Sequence, residues 1–429
     1  MQNRQQKTYD IDDLPKVIHQ VLCWAQQFPH FSYYNPNQIE YPFEPFKHFI
    51  AVGCTQKIEF ENKDDFQQLK EACEKHKDWL VGYLGYDLKN QLEDLKSENN
   101  NTNGFEPIYF YIPTHVIHFE DDRLCVESFE DPDDVFQQFN QTLEINTKHA
   151  LNININAQVS KDEYLAIVRK IQEHIINGDV YELNYCMEFF AEDLDAKPLD
   201  LYQQLISYSP TPFSVFQRID HQYLICASPE RFIKKEGKTL ISQPIKGTIR
   251  RGSTPKEDKS LQYQLKHSEK ERAENMMIVD LVRNDLSKSC KIGSVKVEEL
   301  FGIYPFKHLH QMISSISGII REDTHITDAI KNAFPMGSMT GAPKVMAMKL
   351  IEQYEVSKRG LFSGAVGYIS PDGDFDFNVV IRSIFYDSLD QIVSFQVGSA
   401  ITYDSIPEQE YEECLLKALA IQQVLRECE

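Results

Sequence analysis

Alternating and helically spaced apolar positions divide the chain into many short strands and fewer helices. The clearest helix spans 160–178. Ser160 and Glu163 form an S-x-x-E capping box, Leu165, Val168, Ile171 and Ile175 share one face, and Asn177-Gly178 ends it. Before it, 14–24 and 64–80 carry helical spacing, and 28–46 reads as a packed loop rich in Pro, Tyr and Phe. Strands are predicted at 48–52, 58–60 and 79–86, two more within 108–127, and one with a polar face at 151–157; 97–104 (SENNNTNG) reads as a mobile polar loop. After it, the pattern predicts strands at 180–190, 213–217, 222–228, 231–236 and 239–242 and helices at 268–286 and 327–334. A glycine-rich turn follows at 337–343, then a helix at 344–354, strands at 363–369, 374–385 and 391–397, and a last helix at 407–426. Strands at hairpin spacing, with helices between the groups, predict an α+β fold with antiparallel sheets. Residues 151–429 read as the main domain and 1–150 as an N-terminal subdomain that contributes strands to it.

Some charged positions break this pattern. In 268–286 the apolar stripe through Ile278 and Leu281 steps back onto Glu274 and then Glu271. A carboxylate on a buried stripe is costly unless something pairs with it. Glu271 also fits a capping box with Ser268, whereas Glu274 fits no cap. The last helix repeats the feature with Glu410, Glu413 and Lys417, of which Glu413 and Lys417 also suit an ordinary surface ion pair. Were the two helices face to face, their four carboxylates would offer Mg²⁺ a hard-oxygen site.

Lys246 stands in Gln243-Pro244-Ile245-Lys246-Gly247-Thr248, an otherwise uncharged stretch that reads as a tight turn after a strand. A lysine so held is either a surface loop residue or, if desolvated, an amine nucleophile. Glu230, in Ala227-Ser228-Pro229-Glu230-Arg231-Phe232, precedes it by one hairpin and is a candidate acid–base partner, or a strand-end charge paired with Arg231. The segment Gly337-Ser338-Met339-Thr340-Gly341-Ala342-Pro343-Lys344 lacks phosphate-loop spacing, although its amides before a helix suit a carboxylate.

Charge narrows the partners. The 429-residue chain carries 44 basic and 65 acidic side chains, a net charge of −21. Such a surface repels nucleic acid and anionic membranes, so neither is expected as a partner. An anionic substrate would need local cations or a metal. Nine scattered cysteines with no CxxC pair, no apolar signal core and no long apolar run predict a cytoplasmic protein.

ASPERF, PIKGT, ENMMIVDLVRNDL, FPMGSMTGAPKVMAMKLIEQYE, GAVGYI and PEQEYEECLLKA occur here in the order found in the chorismate-utilising enzymes, which the chain resembles over roughly 157–425. GDVYELN and GYLGYD extend the likeness towards the N-terminus. The resemblance implies two large antiparallel sheets packed as a sandwich with helices outside. It implies Glu274 and Glu413 as Mg²⁺ ligands, with Glu271 and Glu410 supporting the metal. It implies Tyr368, Arg382, Gly398 and Lys417 around the carboxylates and enolpyruvyl arm of chorismate, with Thr248 and Ser338 as further polar contacts. The lysine of PIKGT marks relatives that aminate C4 to give 4-amino-4-deoxychorismate; those that make anthranilate are the alternative and usually carry alanine there. On this reading an uncharged Lys246 attacks C2 and Glu230 protonates the departing C4 hydroxyl. Relatives that add water use a lysine where Glu182 stands, and many carry histidine where Gln311 stands, a residue linked to pyruvate loss. No G-x-C-x-G nucleophile turn occurs, so a separate glutamine amidotransferase subunit is expected to supply ammonia.

Overall fold

The computed structural model describes residues 3–61, 64–142 and 153–426. Two antiparallel sheets dominate it, of twelve and ten strands among the described residues. Along the first sheet the central order is His30–Asn35, Phe213–Ile219, Gln222–Ser228, Ser383–Asp387, Ile392–Ile401 and Glu182–Ala191. Along the second it is Ile245–Arg250, Leu309–Ile319, Thr239–Gln243, Arg231–Glu236, Phe375–Asn378, Ala365–Ile369 and Leu80–Leu84.

Strand alternation explains the layering, because successive side chains point to opposite faces. Val81 and Tyr83 pack with Ala51, Leu224 and Val366 in a core between the sheets. Leu80 and Leu84, one residue away, join Phe66, Leu69, Ile278 and Ile330 beneath the outer helices of the second sheet. Phe31, Tyr33 and Ile50 turn outward from the first sheet onto Val168, Ile171, Ala418 and Ile421. The result is the expected sandwich with helices outside.

The described residues before 143 are woven into both sheets rather than set apart. His30–Asn35 pairs with Phe213–Ile219, and Leu80–Leu84 pairs with Ala365–Ile369. The boundary expected near residue 150, and Leu151 and Asn152 of the strand expected at 151–157, lie outside the described residues.

Several expectations are corrected. The stretch 28–46 holds the strand His30–Asn35. The polar loop 97–104 is tied down: Asn99 Nδ2 donates to Glu355 O at 2.7 Å, Thr102 to Glu188 at 3.0 Å and Asn103 to Arg359 O at 3.1 Å. Asn99 and Asn103 satisfy backbone carbonyls, while Glu98, Asn100 and Asn101 stay exposed. The lysine segment is no turn but the strand Ile245–Arg250, with a bulge between Ile245 and Thr248. A long hairpin, Lys296–Pro305 with Leu309–Ile319, was not expected. Two register shifts break its alternation.

Candidate active site

Glu230 lies where the chain leaves Gln222–Ser228 in one sheet and enters Arg231–Glu236 in the other. Its carboxylate accepts Ser338 Oγ at 2.6 Å, and burial raises its pKa to about 7 despite Ser338, Lys246 and Arg382 nearby. The expected alternative, a pair with Arg231, is absent. Arg231 is fully buried and turns the other way, its Nε 2.9 Å from Asp376 Oδ1.

Lys246 enters the same space from the bulged strand. Its Nζ is 2.5 Å from Glu182 Oε1, and its side chain is 12% exposed. Burial alone would lower its pKa, but Glu182, Glu274 and Glu413 outweigh this and raise it. These acidic neighbours favour the ammonium form of Lys246, so the uncharged amine expected of a nucleophile requires that its proton first be passed on. Glu182 begins the strand Glu182–Ala191, is fully buried, and leaves Oε2 without a hydrogen-bond partner. Sequence reasoning placed Glu182 only as the position of a missing lysine; a buried acid opening a strand was the available signal.

Gly247 makes the approach of the Glu269–Ser287 helix possible. It has φ +103°, and a Cβ there would sit 3.0 Å from Glu271 Oε2 and 3.2 Å from Met312 Cβ. Ser268 caps this helix by accepting Glu271 N at 3.3 Å. Burial raises Glu271, with Glu413 and Glu410 adding repulsion; burial raises Glu274 to about 7, with Glu182 and Glu271 adding to it. The two glutamate-bearing helices thus feel each other's charge. In the Pro407–Arg426 helix Glu413 pairs with Lys417 at 2.7 Å, which outweighs burial and lowers its pKa, and Glu410 accepts Ser405 Oγ at 2.8 Å. Among the described residues no three acidic, histidine or cysteine side chains converge as a closed metal site. The donors are hard oxygens, partly desolvated and mutually repelling, a chemistry that suits a divalent cation.

The remaining expected residues divide. Lys417 Nζ donates to Gly398 O at 2.8 Å, and a Cβ at Gly398 would meet Cys186 Sγ at 2.5 Å, so the strands pack too closely there for a side chain. Arg382 is half-buried at φ +52°; burial lowers its pKa to about 10, and its guanidinium has no hydrogen bond or ion pair among the described residues. Ser338 serves Glu230. Thr248 is exposed and stands opposite Gln311 in register. Gln311 is 2% exposed with Oε1 unpartnered, whereas His310 turns away to Asp258 at 2.8 Å. Tyr368 is corrected. Its ring is buried among Tyr34, Phe46, Phe49 and Trp79, and its hydroxyl accepts Lys47 N at 3.3 Å. It belongs to the core between the sheets and is not brought to Lys246.

Lys246 and Arg382 both lie near enough to Glu230 to act on its charge, so a cation paired with a carboxylate, a near-neutral buried acid and a guanidinium share one region. Residues 20–423 match the chorismate binding enzyme family. The chain belongs to that family. It is a chorismate-utilising enzyme. It is 32% identical over 361 residues to aminodeoxychorismate synthase component 1 of Bacillus subtilis (80% of this chain, 76% of that protein). It is 33% identical over 399 residues to anthranilate synthase component 1 of Aquifex aeolicus (85% and 80%). A probable chloroplastic aminodeoxychorismate synthase of Oryza sativa subsp. japonica is 43% identical over 272 residues, which are 63% of this chain and 30% of the rice protein. The crystal structure of anthranilate synthase component I from Streptococcus pneumoniae TIGR4 superposes with a TM-score of 0.78 at 25% identity, covering 90% of this chain and 94% of that one. Among the described residues no helix is long and apolar enough to cross a membrane.

Proposed function

We propose that this enzyme aminates chorismate at C4, giving 4-amino-4-deoxychorismate with the enolpyruvyl group retained. The observation that carries the reading is Lys246, buried between Glu182 and Glu274 and sharing its pocket with the near-neutral acid Glu230.

Lys246 first gives a proton to Glu182, already within hydrogen-bond reach. The free amine attacks C2 of the ring, the double bonds shift, and the C4–O bond breaks as Glu230 delivers its proton; water leaves. Ammonia attacks C4, the double bonds shift back, and the C2–N bond to Lys246 breaks. Glu230 takes the surplus proton from the new amine, and Lys246 recovers its own from Glu182. Two displacements return nitrogen to the carbon that lost oxygen, and both carboxyl groups end as they began. Arg382 and Lys417 offer positive charge to the substrate's carboxylates. Glu274 and Glu413, supported by Glu271 and Glu410, would hold Mg²⁺, which supplies charge stabilisation for the ring carboxylate in an otherwise acidic protein. Ammonia comes from a glutamine amidotransferase partner, and the product feeds 4-aminobenzoate formation for folate.

The second reading, anthranilate formation, is favoured by the Aquifex aeolicus relative. Lys246 weighs against it, because direct attack of ammonia at C2 leaves a nucleophilic lysine without a task. Incubation with chorismate, Mg²⁺ and ammonium distinguishes the two. A product that an aminodeoxychorismate lyase converts to 4-aminobenzoate supports C4 amination; fluorescent anthranilate refutes it.

A further inference from the structure

Asn275 follows Glu274 in the Glu269–Ser287 helix and is 1% exposed. Its Nδ2 donates to Lys246 O at 3.1 Å and reaches Met312 O at 3.5 Å. Its Oδ1 accepts Ser314 Oγ at 2.6 Å, and Ser314 Oγ accepts Phe301 N at 3.1 Å. One side chain thus ties the glutamate-bearing helix to the strands Ile245–Arg250 and Leu309–Ile319, and through Ser314 to Lys296–Pro305. Its contact with Lys246 falls where the ladder is least regular. The register between Ile245–Arg250 and Leu309–Ile319 is interrupted between Ile245 and Thr248, with Lys246 inside the interruption. A bulge re-aims a side chain but weakens the pairing that would hold it. A buried amide satisfied at both ends is a stiff replacement.

We infer that Asn275 is a positioning residue that fixes the peptide of Lys246 relative to the helix carrying Glu271 and Glu274, and so sets the aim of the amine at the substrate ring. The inference rests on the reading of Lys246 as the nucleophile. Packing alone does not require this choice: the neighbouring buried positions of the helix, Ile278, Val279 and Val282, are apolar. A misplaced reacting group costs rate while leaving binding intact.

Asn275→Ala and Ser314→Ala are to be compared with the wild-type enzyme for kcat, for KM of chorismate, for Mg²⁺ affinity by calorimetry, and for the rate of adduct formation at Lys246 after rapid quenching. Asn275→Ala is expected to lower kcat and adduct formation together by about tenfold to a hundredfold, with KM and Mg²⁺ affinity held within about twofold. Ser314→Ala, which frees Asn275 to swing, is expected to lower kcat about fivefold in the same pattern. A kcat unchanged in both variants overturns the inference, as does a loss of chorismate or Mg²⁺ affinity that matches the loss of rate. Should Asn275→Ala fail to fold, Ser314→Ala decides alone by the same readings. The wild-type product tests the reaction assignment separately: anthranilate with no lysine adduct sinks that assignment, whereas a 4-amino product with insensitive variants sinks only the role of Asn275.

Discussion

Glu230 and Glu182 are both buried carboxylates in one pocket, and their surroundings give them opposite work. Glu230 accepts a serine hydroxyl and is buried, and burial lifts it to about 7 against the pull of Ser338, Lys246 and Arg382. Glu182 touches the Lys246 ammonium, whose charge it stabilises. In the proposed reaction the acid must carry its proton to release the C4 hydroxyl. A carboxyl with a raised pKa is protonated below that value and loses its proton above it, so kcat/KM is predicted to fall as pH rises through about 7. Glu230→Gln should lower the rate by about 10²–10⁴-fold and remove that limb of the profile. A wild-type rate flat from pH 6 to 9 contradicts the assignment. Lys246 and Glu230 were legible in the sequence because each stands in a long motif. The pairing of Lys246 with Glu182 was not, because Glu182 is 64 residues away in the chain.

The elements were legible where the pattern was regular. The capping box of Ser160 and Glu163 is present, and Gly178 ends the helix at φ +84°. The bulged strands were not, since a register shift moves side chains to the other face and erases alternation. That is why Lys246 read as a turn residue and why the hairpin bearing Gln311 was missed. Tyr368 failed for another reason: a phenol beside a strand end looks alike in a pocket and in a core until its neighbours are known. The bulge itself yields a prediction. Gly247→Ala must place a Cβ at a backbone angle that L-residues rarely adopt, against Glu271 Oε2 and Met312 Cβ. It is expected to cost about 1–3 kcal/mol of stability in denaturant titration, with weaker Mg²⁺ binding because Glu271 is displaced. A fully stable variant with native Mg²⁺ affinity refutes this account of the bulge.

At the scale of the molecule, the N-terminal 142 residues and the catalytic strands share both sheets and one core between them. Arg231 is one polar tie across that seam. It pairs with Asp376 through Nε and Nη2, and its guanidinium also donates to Gln243 Oε1 and to the carbonyls of Phe43 and Glu44. Asp376→Ala leaves this cation buried without its counter-charge, so a loss of about 3–5 kcal/mol is predicted, read as a lowered denaturation midpoint. A midpoint unchanged by the substitution contradicts that role. Antiparallel sheets were foreseeable from strand spacing and their packing as two from the family resemblance, but the pairings were not, because spacing does not say which distant strands meet. The central claim is chemical: the amine of Lys246 bonds to the ring before ammonia does. Mass spectrometry of enzyme quenched during turnover with chorismate and limiting ammonium tests it most directly. The account predicts that the peptide bearing Lys246 gains the mass of chorismate less one water. An unmodified peptide from enzyme that is forming the C4 amine at full rate contradicts it.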